Sequence, residues 1–333
     1  MANDKNEKSR KARIIRILLI FGMIILVLAY QNYKPSSNNI NDEDTLHLVE
    51  EETSTQPSYG EIPEETLYVY MIDVGQGDSF LFVQGNETAL IDCGTKGTVK
   101  NVIECLNTIG ITKLDYVIGT HQHDDHIGGM YDIISNFEIG EIIMPTINPE
   151  LVTSNWYMSL LKKINDDNIE VIHPEIGDIF LLGIARMKVV GQLTPDEAGN
   201  NINNYSTVIK VSLGEMDILM TGDAEKQVER SILQSKENID SEILKVGHHG
   251  SDSSTTKEFL EAVNPEYGLI SCKIGNRYNH PTKETMDKLE DAGVVIYRTD
   301  ECGTVAIKIT ATDIYFNATP GDYLSGPELE EGD

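Results

Sequence analysis

The chain is poor in cysteine, with four residues in 333: Cys93, Cys105, Cys272 and Cys302. No two of them form a C-x-x-C pair, so the sequence gives no support for a thiolate zinc site or a dithiol redox motif. Oxidation in an exported domain would allow three pairings, and isolated buried thiols fit the spacing equally well. The sequence therefore predicts no particular disulfide.

Positive charge is also scarce, since 26 Lys and Arg stand against 54 Asp and Glu, for a formal net charge of −28. Binding to long nucleic acids is driven by counterion release from basic surfaces. We therefore expect no tight binding of duplex DNA.

Long hydrophobic runs are limited to one, residues 17–30 (ILLIFGMIILVLAY), which follows a basic segment at residues 1–13. The run reaches membrane-spanning length only if Ile14 and Ile15 join it and Arg16 snorkels. We predict a transmembrane anchor at residues 14–30. A signal peptide is the alternative, although the exit Ala29-Tyr30-Gln31 does not match a small-x-small cleavage site.

The basic flank predicts that the amino terminus stays in the cytoplasm, which places the rest of the chain outside the membrane. The predicted location is the cell membrane, with one span and an extracytoplasmic domain; secretion after signal cleavage is the alternative. Residues 31–64 are polar and acidic with little to bury, which indicates a disordered linker. The stretch 320–333 has the same composition and is predicted to be an acidic tail, leaving residues 65–319 as the folded domain.

Short apolar, β-branched segments alternate with segments of helical spacing throughout residues 65–319. The first half contains strand-like segments at residues 67–74, 79–83, 89–93 and 116–120, with a helix at 98–109. The second half repeats this order from Val208 to Ile309. We predict an α/β (α+β) fold in which two mixed sheets pack together with helices outside, a four-layer αββα sandwich.

The most informative segment is Thr120–Gly129, which reads T-H-Q-H-D-D-H-I-G-G. Alternate side chains of an extended segment point the same way, so His121 and His123 can face one ion. Asp125 and His126 then turn with the chain and could serve a second ion nearby, as in two-metal hydrolytic sites. Imidazole and carboxylate are standard zinc or manganese ligands. We therefore predict a metal site here.

Two later strands end in further ligand types. Asp223 follows the apolar strand in M-T-G-D, and His248 lies in K-V-G-H-H-G-S after the next strand. Functional groups collect at the carboxyl ends of strands in open α/β architectures because the loops share one rim. Asp223 could bridge two ions, and His248 could complete the second. Each signal is weak alone, because an Asp after Gly commonly caps a turn.

A third segment, N-R-Y-N-H-P, offers His280 as a group that stabilises negative charge or protonates a leaving group. Lys273, Arg277 and Lys283 flank it and could bind a phosphate, although solvated basic side chains are the ordinary explanation. Asp92 follows a buried strand, and we expect it to orient a metal-binding imidazole as an outer partner.

These motifs resemble the metallo-β-lactamase superfamily, whose H-x-H-x-D-H signature matches residues 121–126. Asp92 in L-I-D-C-G matches its first acidic motif, and Asp223 its bridging aspartate. The motifs MIDVGQGDSFL, NNYSTVIKV, LMTGD, LKVGHHGS, NRYNHP and RTDECGTV are similar to the free-standing ComEC-like (competence protein) hydrolase domain. The resemblance implies a metal-activated hydroxide and, for the competence protein itself, a nuclease role during DNA uptake.

The chain departs from the superfamily pattern in one position. The histidine expected between the two half-sites is missing, since no His occurs between His173 and His248, and Asn204 or Ser206 occupies that region. One ion would then keep only two strong ligands. A water could fill this gap, or a single ion could be bound.

We therefore expect a hydrolase holding one or two divalent ions, with Zn²⁺ favoured and Mn²⁺ as the alternative. The predicted activity is that of a phosphodiesterase or nuclease-like enzyme acting on short nucleic acids or wall polymers. Two alternatives stay open: hydrolysis of β-lactams or other acyl compounds and esters, and a catalytically silent surface binding module.

Overall fold

The computed structural model describes residues 65–331 of the chain. They form two β-sheets that pack face to face. The first sheet has eight strands in the order β15-β14-β1-β2-β3-β4-β5-β6. Its strands are β1 (Leu67–Met71), β2 (Phe80–Gln84), β3 (Glu87–Ile91), β4 (Lys113–Ile118), β5 (Glu138–Ile143), β6 (Glu170–Ile172), β14 (Val305–Ile309) and β15 (Ile314–Phe316).

The second sheet has seven strands in the order β13-β12-β11-β10-β9-β8-β7. They are β7 (Ile179–Leu182), β8 (Ala185–Gly191), β9 (Val208–Leu213), β10 (Met216–Met220), β11 (Ile243–Lys245), β12 (Tyr267–Ile270) and β13 (Val295–Arg298). Strands β10 to β13 run parallel, as do β3 to β6 in the first sheet. Parallel strands need crossover connections, and helices supply most of them here.

Helices cover the outer faces of both sheets. Against the first sheet pack α1 (Val99–Ile109), α2 (Asp124–Ile127), α3 (Met130–Asn136) and α4 (Asn155–Asp166). Against the second pack α6 (Lys226–Ser235), α7 (Lys257–Val263) and α8 (Lys283–Ala292). Shorter helices are α5 (Pro195–Ala198), α9 (Thr299–Cys302) and α10 (Gly326–Glu331). Helix α1 ends at Gly110, which adopts the left-handed conformation (φ 85°) that glycine accepts without strain.

The alternation of side chains along each strand explains the layers. In β2, Phe80 and Phe82 point into the cluster between the two sheets, while Leu81 and Val83 point to the cluster under the helices. All four side chains are buried. A strand that is covered on both faces is apolar at successive positions, which is why this segment reads as a continuous hydrophobic run. The predicted four-layer αββα sandwich is confirmed.

The loops that follow β4, β10 and β11 meet at one edge of the sandwich. The backbone N–H of Thr207, just before β9, donates to the carbonyl oxygen of Thr120 after β4, at 3.0 Å. This bond joins the loops of the two sheets. The edge therefore brings the motif at residues 120–129 next to the loops that carry Asp223 and His248.

The segment after residue 319 differs from the predicted acidic tail. Tyr323 donates its hydroxyl to the carbonyl oxygen of Val294 at 2.7 Å, and the N–H of Gly321 donates to that of Ile296 at 2.8 Å. The buried guanidinium of Arg298 donates to the carbonyl oxygen of Leu324. The acidic sequence did not predict these contacts, because they are hydrogen bonds made by backbone groups, Tyr323 and Arg298 rather than contacts of an apolar stripe.

The predicted membrane location needs correction. Among residues 65–331, no helix has the length and apolar character required to cross a bilayer. Three predicted segments lie outside the described residues: the basic segment at 1–13, the anchor or signal peptide at 14–30, and the linker at 31–64. The prediction of a single-pass membrane protein therefore has no support from the structure.

Deleting residues 320–333 should destabilise the full chain by about 2–4 kcal/mol. The deletion removes several hydrogen bonds worth roughly 1 kcal/mol each and leaves a buried donor of Arg298 without its acceptor. Urea unfolding monitored by circular dichroism measures the change. Tyr323→Phe, which removes a single hydrogen bond, should cost about 1 kcal/mol. An unchanged urea midpoint after the deletion would show that the segment does not stabilise the domain.

Candidate metal centre

The first loop of the site lies between β4 and α2. His121 and His123 are in the extended part, and His123 occupies the N-cap position of α2 with φ −83° and ψ 152°. His121 Nε2 and His123 Nδ1 lie 3.0 Å apart, within hydrogen-bond distance of each other. The helical turn that follows directs Asp125 and His126 to the same side. The structure thus brings the four predicted side chains of this loop close together.

Asp92 lies behind these imidazoles. Its carboxylate accepts from the Thr120 backbone N–H at 2.9 Å, from the Thr120 hydroxyl at 2.7 Å, and is 2.8 Å from His126 Nδ1. Because the Thr120 hydroxyl donates to Asp92, its oxygen accepts from His121 Nδ1, 3.1 Å away. Asp92 thus places a proton on Nδ1 of both rings. Nε2 of His126 is then free to bind a metal, whereas Nε2 of His121 accepts from His123 Nδ1. The contact with His126 is the one predicted for Asp92.

Asp223, after β10, is the carboxylate that these rings face. Its Oδ2 is 3.2 Å from His126 Nε2 and 3.8 Å from His121 Nε2. The backbone N–H of Asp223 donates to the Ser206 hydroxyl at 3.2 Å, which fixes the loop. Asp223 Oδ1 and His126 Nε2 are both buried without a hydrogen-bond partner. Buried donors and acceptors without a protein partner are satisfied by an ordered water or by an ion.

His249 completes the cluster, although the sequence analysis selected its neighbour His248. His249 Nδ1 is 2.8 Å from the Ser271 carbonyl oxygen, which can only accept, so Nδ1 carries a proton. Nε2 then faces Asp223 Oδ1 at 3.5 Å and Asp125 Oδ2 at 3.6 Å. The paired histidines of K-V-G-H-H-G-S were the available signal, but the sequence did not show which ring points inward.

His248 lies at the edge of the cluster. Its Nε2 is 3.7 Å from Asp223 Oδ2, and its side chain is 23% exposed, whereas that of His249 is 1% exposed. His248 Nδ1 contacts the Ser253 hydroxyl at 3.1 Å. Glu225, which the sequence analysis did not select, is 3.6 Å from the same nitrogen. His248 is therefore close enough to contact a substrate or an ion, but less enclosed than His249.

The charge balance of the cluster depends on protons when no metal is bound. Burial opposes protonation of His249, but Asp223, Asp78 and Asp125 outweigh burial and raise its pKa to about 10. The pKa of His126 is likewise raised despite burial, by Asp223 and Asp92. Burial lowers the pKa of His121. Burial would raise the pKa of Asp125, but His249 and His126 hold it well below its ordinary value.

These residues fit a divalent metal. Asp125, His126 and His249 offer donor atoms that lie within 4.8 Å of one another, and so do His121, His126 and Asp223. Two imidazole nitrogens and a carboxylate oxygen, with a second carboxylate adjacent, is a donor set suited to zinc or manganese. His249 Nε2 is a further buried atom with no hydrogen-bond partner. The ring orientations therefore suit metal binding without a change of tautomer.

The two residues at the missing histidine are held by hydrogen bonds on one side of each side chain. Ser206 accepts from the Asp223 N–H, as described above. Asn204 donates its side-chain amide to Gln227 Oε1 at 3.1 Å, and its Oδ1 is buried without a hydrogen-bond partner. The half-site that includes His121 and His123 thus has an amide and a hydroxyl where the superfamily pattern has an imidazole.

A cleft of about 380 Å³ opens next to Asp125. It is lined by Gln76, Thr95, Asp124, Asp125, Lys273, Gly275, Asn276, Arg277 and Tyr278. Lys273 and Arg277 are exposed in it, and the Arg277 guanidinium stacks on the Tyr278 ring at 4.7 Å. Two of the three cations that were predicted to bind phosphate therefore line the cleft next to Asp125.

The third, Lys283, is not. Its ammonium lies on the surface of α8, 2.8 Å from Asp287 and 3.8 Å from Glu328, and it does not line the cleft. Sequence proximity to His280 was misleading because Pro281 and Thr282 precede the helix, which carries Lys283 away. His280 itself is buried between His248 and Tyr278, with ring centroids 5.2 and 5.7 Å away.

A family model described as the metallo-beta-lactamase superfamily matches residues 72–273, which is more than half of the chain. The chain belongs to the metallo-β-lactamase superfamily of metal-dependent hydrolases. The four-layer fold and the cluster of imidazoles and carboxylates at one edge of the sheets agree with that assignment.

Within the superfamily, the chain is similar to competence proteins. It is 29% identical over 255 residues to ComE operon protein 3 of Bacillus subtilis (strain 168), covering 71% of this chain and 32% of that protein. It is 29% identical over 247 residues to Competence protein ComA of Neisseria gonorrhoeae, covering 73% and 32%. The resemblance predicted from the motifs is confirmed. The chain spans about a third of the length of these relatives.

Among solved structures, the metallo-beta-lactamase fold protein YhfI from Bacillus subtilis aligns with a TM-score of 0.48 and 13% identity. The alignment covers 76% of this chain and 100% of YhfI.

The raised pKa of His249 predicts how the stability of metal-free protein depends on pH. The folded pKa of about 10 exceeds the unfolded value of roughly 6.5. Protonation therefore stabilises the fold fully below pH 6.5, and this stabilisation is lost as pH rises toward 10. In the presence of EDTA, the unfolding temperature should fall between pH 6.5 and 9.5, and it should fall less in His249→Asn.

Differential scanning calorimetry at several pH values measures this dependence. Equal slopes for the two proteins would show that His249 does not exchange protons with folding. Because metal binding displaces those protons, affinity for zinc should rise over the same range of pH.

Proposed function

We propose that this protein hydrolyses phosphodiester bonds in short anionic substrates, such as short oligonucleotides or phosphodiester-containing wall polymers. The observation that carries the proposal is the position of Lys273 and Arg277 in the cleft that opens at Asp125. A phosphodiester placed there would contact both cations while its phosphorus lies toward the imidazole and carboxylate cluster. The likeness to competence proteins also supports a phosphodiester substrate.

A divalent ion held by Asp125, His126, His249 and Asp223 would supply a water whose pKa is lowered to roughly 7. The chain's own groups prepare the site for it. Asp92 and Thr120 fix the rings of His121 and His126, and Ser206 fixes the loop of Asp223. Zinc is proposed first and manganese second, because both accept mixed nitrogen and oxygen ligands.

Lys273 and Arg277 would neutralise the two non-bridging oxygens and whatever negative charge builds on them during attack. Arginine binds phosphate through its planar fork, and stacking on Tyr278 holds the guanidinium plane in place. The carboxylates of Asp124 and Asp125 line the same cleft. Their negative charge would repel phosphates that do not reach Lys273 and Arg277, which favours small substrates.

His280 is suited to hydrogen bonding rather than to proton donation at neutral pH. Burial, with help from His248 and His249, lowers its pKa to about 4. Its Nδ1 is buried without a hydrogen-bond partner. A neutral ring beside His248 could bind a substrate oxygen or a water, whereas an acid with so low a pKa would hold no proton to give.

The purified full chain, loaded with zinc or with manganese, should hydrolyse bis-p-nitrophenyl phosphate and shorten single-stranded oligonucleotides. Asp223→Ala should lower kcat by roughly a thousandfold, since it removes a carboxylate that faces both half-sites. Release of p-nitrophenolate and gel analysis of labelled oligonucleotides measure the two activities. Duplex DNA should bind weakly, because the net charge of −28 opposes it.

Variants of the cleft refine this test. Lys273→Ala and Arg277→Ala should each raise KM for the phosphodiester about tenfold, because each removes a contact to an anionic oxygen. Lys257→Ala, which removes an exposed lysine on α7 that pairs with Glu261, is the matched control and should leave KM unchanged. If neither phosphodiester is hydrolysed with zinc or with manganese, the proposal is refuted in favour of a catalytically silent module. Rapid hydrolysis of nitrocefin instead would indicate an acyl hydrolase.

A further inference from the structure

A buried ion pair lies behind the metal centre. Lys245 Nζ is 2.9 Å from Asp78 Oδ2, and the two side chains are 0% and 2% exposed. The same ammonium donates to the Val246 carbonyl oxygen at 2.9 Å. Lysine is rarely buried so completely, because removing its charge from water is costly unless it is paired. Neither residue was selected from the sequence, and neither has a role in the mechanism above.

The position of Asp78 shows which side of the imidazoles it contacts. Its Oδ1 is 3.5 Å from His249 Nδ1, and its Oδ2 is 4.0 Å from His126 Nδ1. Both are the nitrogens that point away from Asp223, whereas the Nε2 atoms of these rings face it. Asp78 therefore lies on the Nδ1 side of both rings, as Asp92 does for His126, and one of its oxygens is also within 4.8 Å of donor atoms of Asp223 and His249.

The turn that carries Asp78 is held closely against the site. Gly77 has φ +124°, and a Cβ at this position would lie 2.2 Å from the Asp125 carbonyl oxygen. The Asp78 N–H donates to that same oxygen at 3.2 Å. Ser271 donates its hydroxyl to the Gly77 carbonyl oxygen at 2.6 Å, and its own carbonyl oxygen contacts His249 Nδ1. Ser271, which directly follows β12, thus holds both the turn and His249.

We propose that Lys245 and Asp78 are positioning residues for His249. Lys245 anchors the Asp78 carboxylate behind the ring. His249 Nδ1 donates its proton to the Ser271 carbonyl oxygen, and the negative charge of Asp78, 3.5 Å away, attracts the same edge of the ring. Nε2 is then held toward Asp125 and Asp223. The inference rests on the proposed function only in requiring that this cluster binds a divalent metal.

The competing explanation is that the pair merely holds the fold together. The chain offers a matched control for that explanation in Arg298, which is also 0% exposed and paired with a buried carboxylate, Asp300, at 2.8 Å. Arg298 contacts residues of the carboxyl-terminal segment rather than the imidazoles. Removing either cation leaves a buried carboxylate unpaired, but only Lys245 lies behind His249.

The test compares Lys245→Met and Arg298→Met in the full chain. Zinc affinity is measured by competition with a chromophoric chelator, and unfolding temperature is measured in EDTA. Lys245→Met should weaken zinc binding by roughly 10–100-fold, the effect typical of removing an outer partner of a metal-binding histidine. Arg298→Met should lower the unfolding temperature but leave zinc affinity within about twofold. Equal affinity in Lys245→Met and wild type, or equal weakening in both variants, would overturn the proposal.

A double variant guards against a folding defect. Lys245→Met combined with Asp78→Asn leaves no unpaired buried charge, so it should fold even where the single variant does not. It should still bind zinc about 10-fold or more weakly than wild type, because no carboxylate remains behind His249. Wild-type affinity in the double variant would refute the positioning role. None of these measurements needs a substrate. If the wild-type protein binds zinc but does not cleave phosphodiesters, the proposed function is refuted and the positioning role is not.

Discussion

The carboxylate of Asp223 is the contact on which the whole site depends, because it joins groups that come from both sheets. His121 and His126 approach it from the loop after β4, and His248 and His249 from the loop after β11. A buried carboxylate requires compensating positive charge. Imidazolium protons supply that charge in the metal-free protein, and a divalent ion would supply it in the loaded one. The cluster is therefore suited to exchange protons for a metal.

A second set of carboxylates orients the imidazole rings of this cluster. Asp92 and Asp78 lie on the far side of the rings from Asp223 and contact their Nδ1 atoms. The inner carboxylates favour a cation between the rings, while the outer ones fix which nitrogen faces it. Lys245 balances one of the outer charges.

Much of the fold could be predicted from the sequence, because strands buried on both faces read as continuous apolar runs. The helix predicted at residues 98–109 is observed at Val99–Ile109, and the strand-like segment 79–83 corresponds to β2 at Phe80–Gln84. The metal loop could be predicted because its ligands are adjacent. Asp78 and the inward ring of His249 could not, since their roles arise from contacts between distant loops. Lys283 was assigned to the site by proximity in sequence, although a helix start carries it away.

The central claim is that a divalent ion is held by Asp125, His126, His249 and Asp223. Anomalous diffraction from crystals of the zinc-loaded protein, collected on both sides of the zinc absorption edge, tests it most directly. We expect an anomalous peak within about 2.0–2.2 Å of His126 Nε2 and His249 Nε2. A zinc peak elsewhere in the protein, or rings turned so that Nδ1 faces Asp223, would refute this metal site.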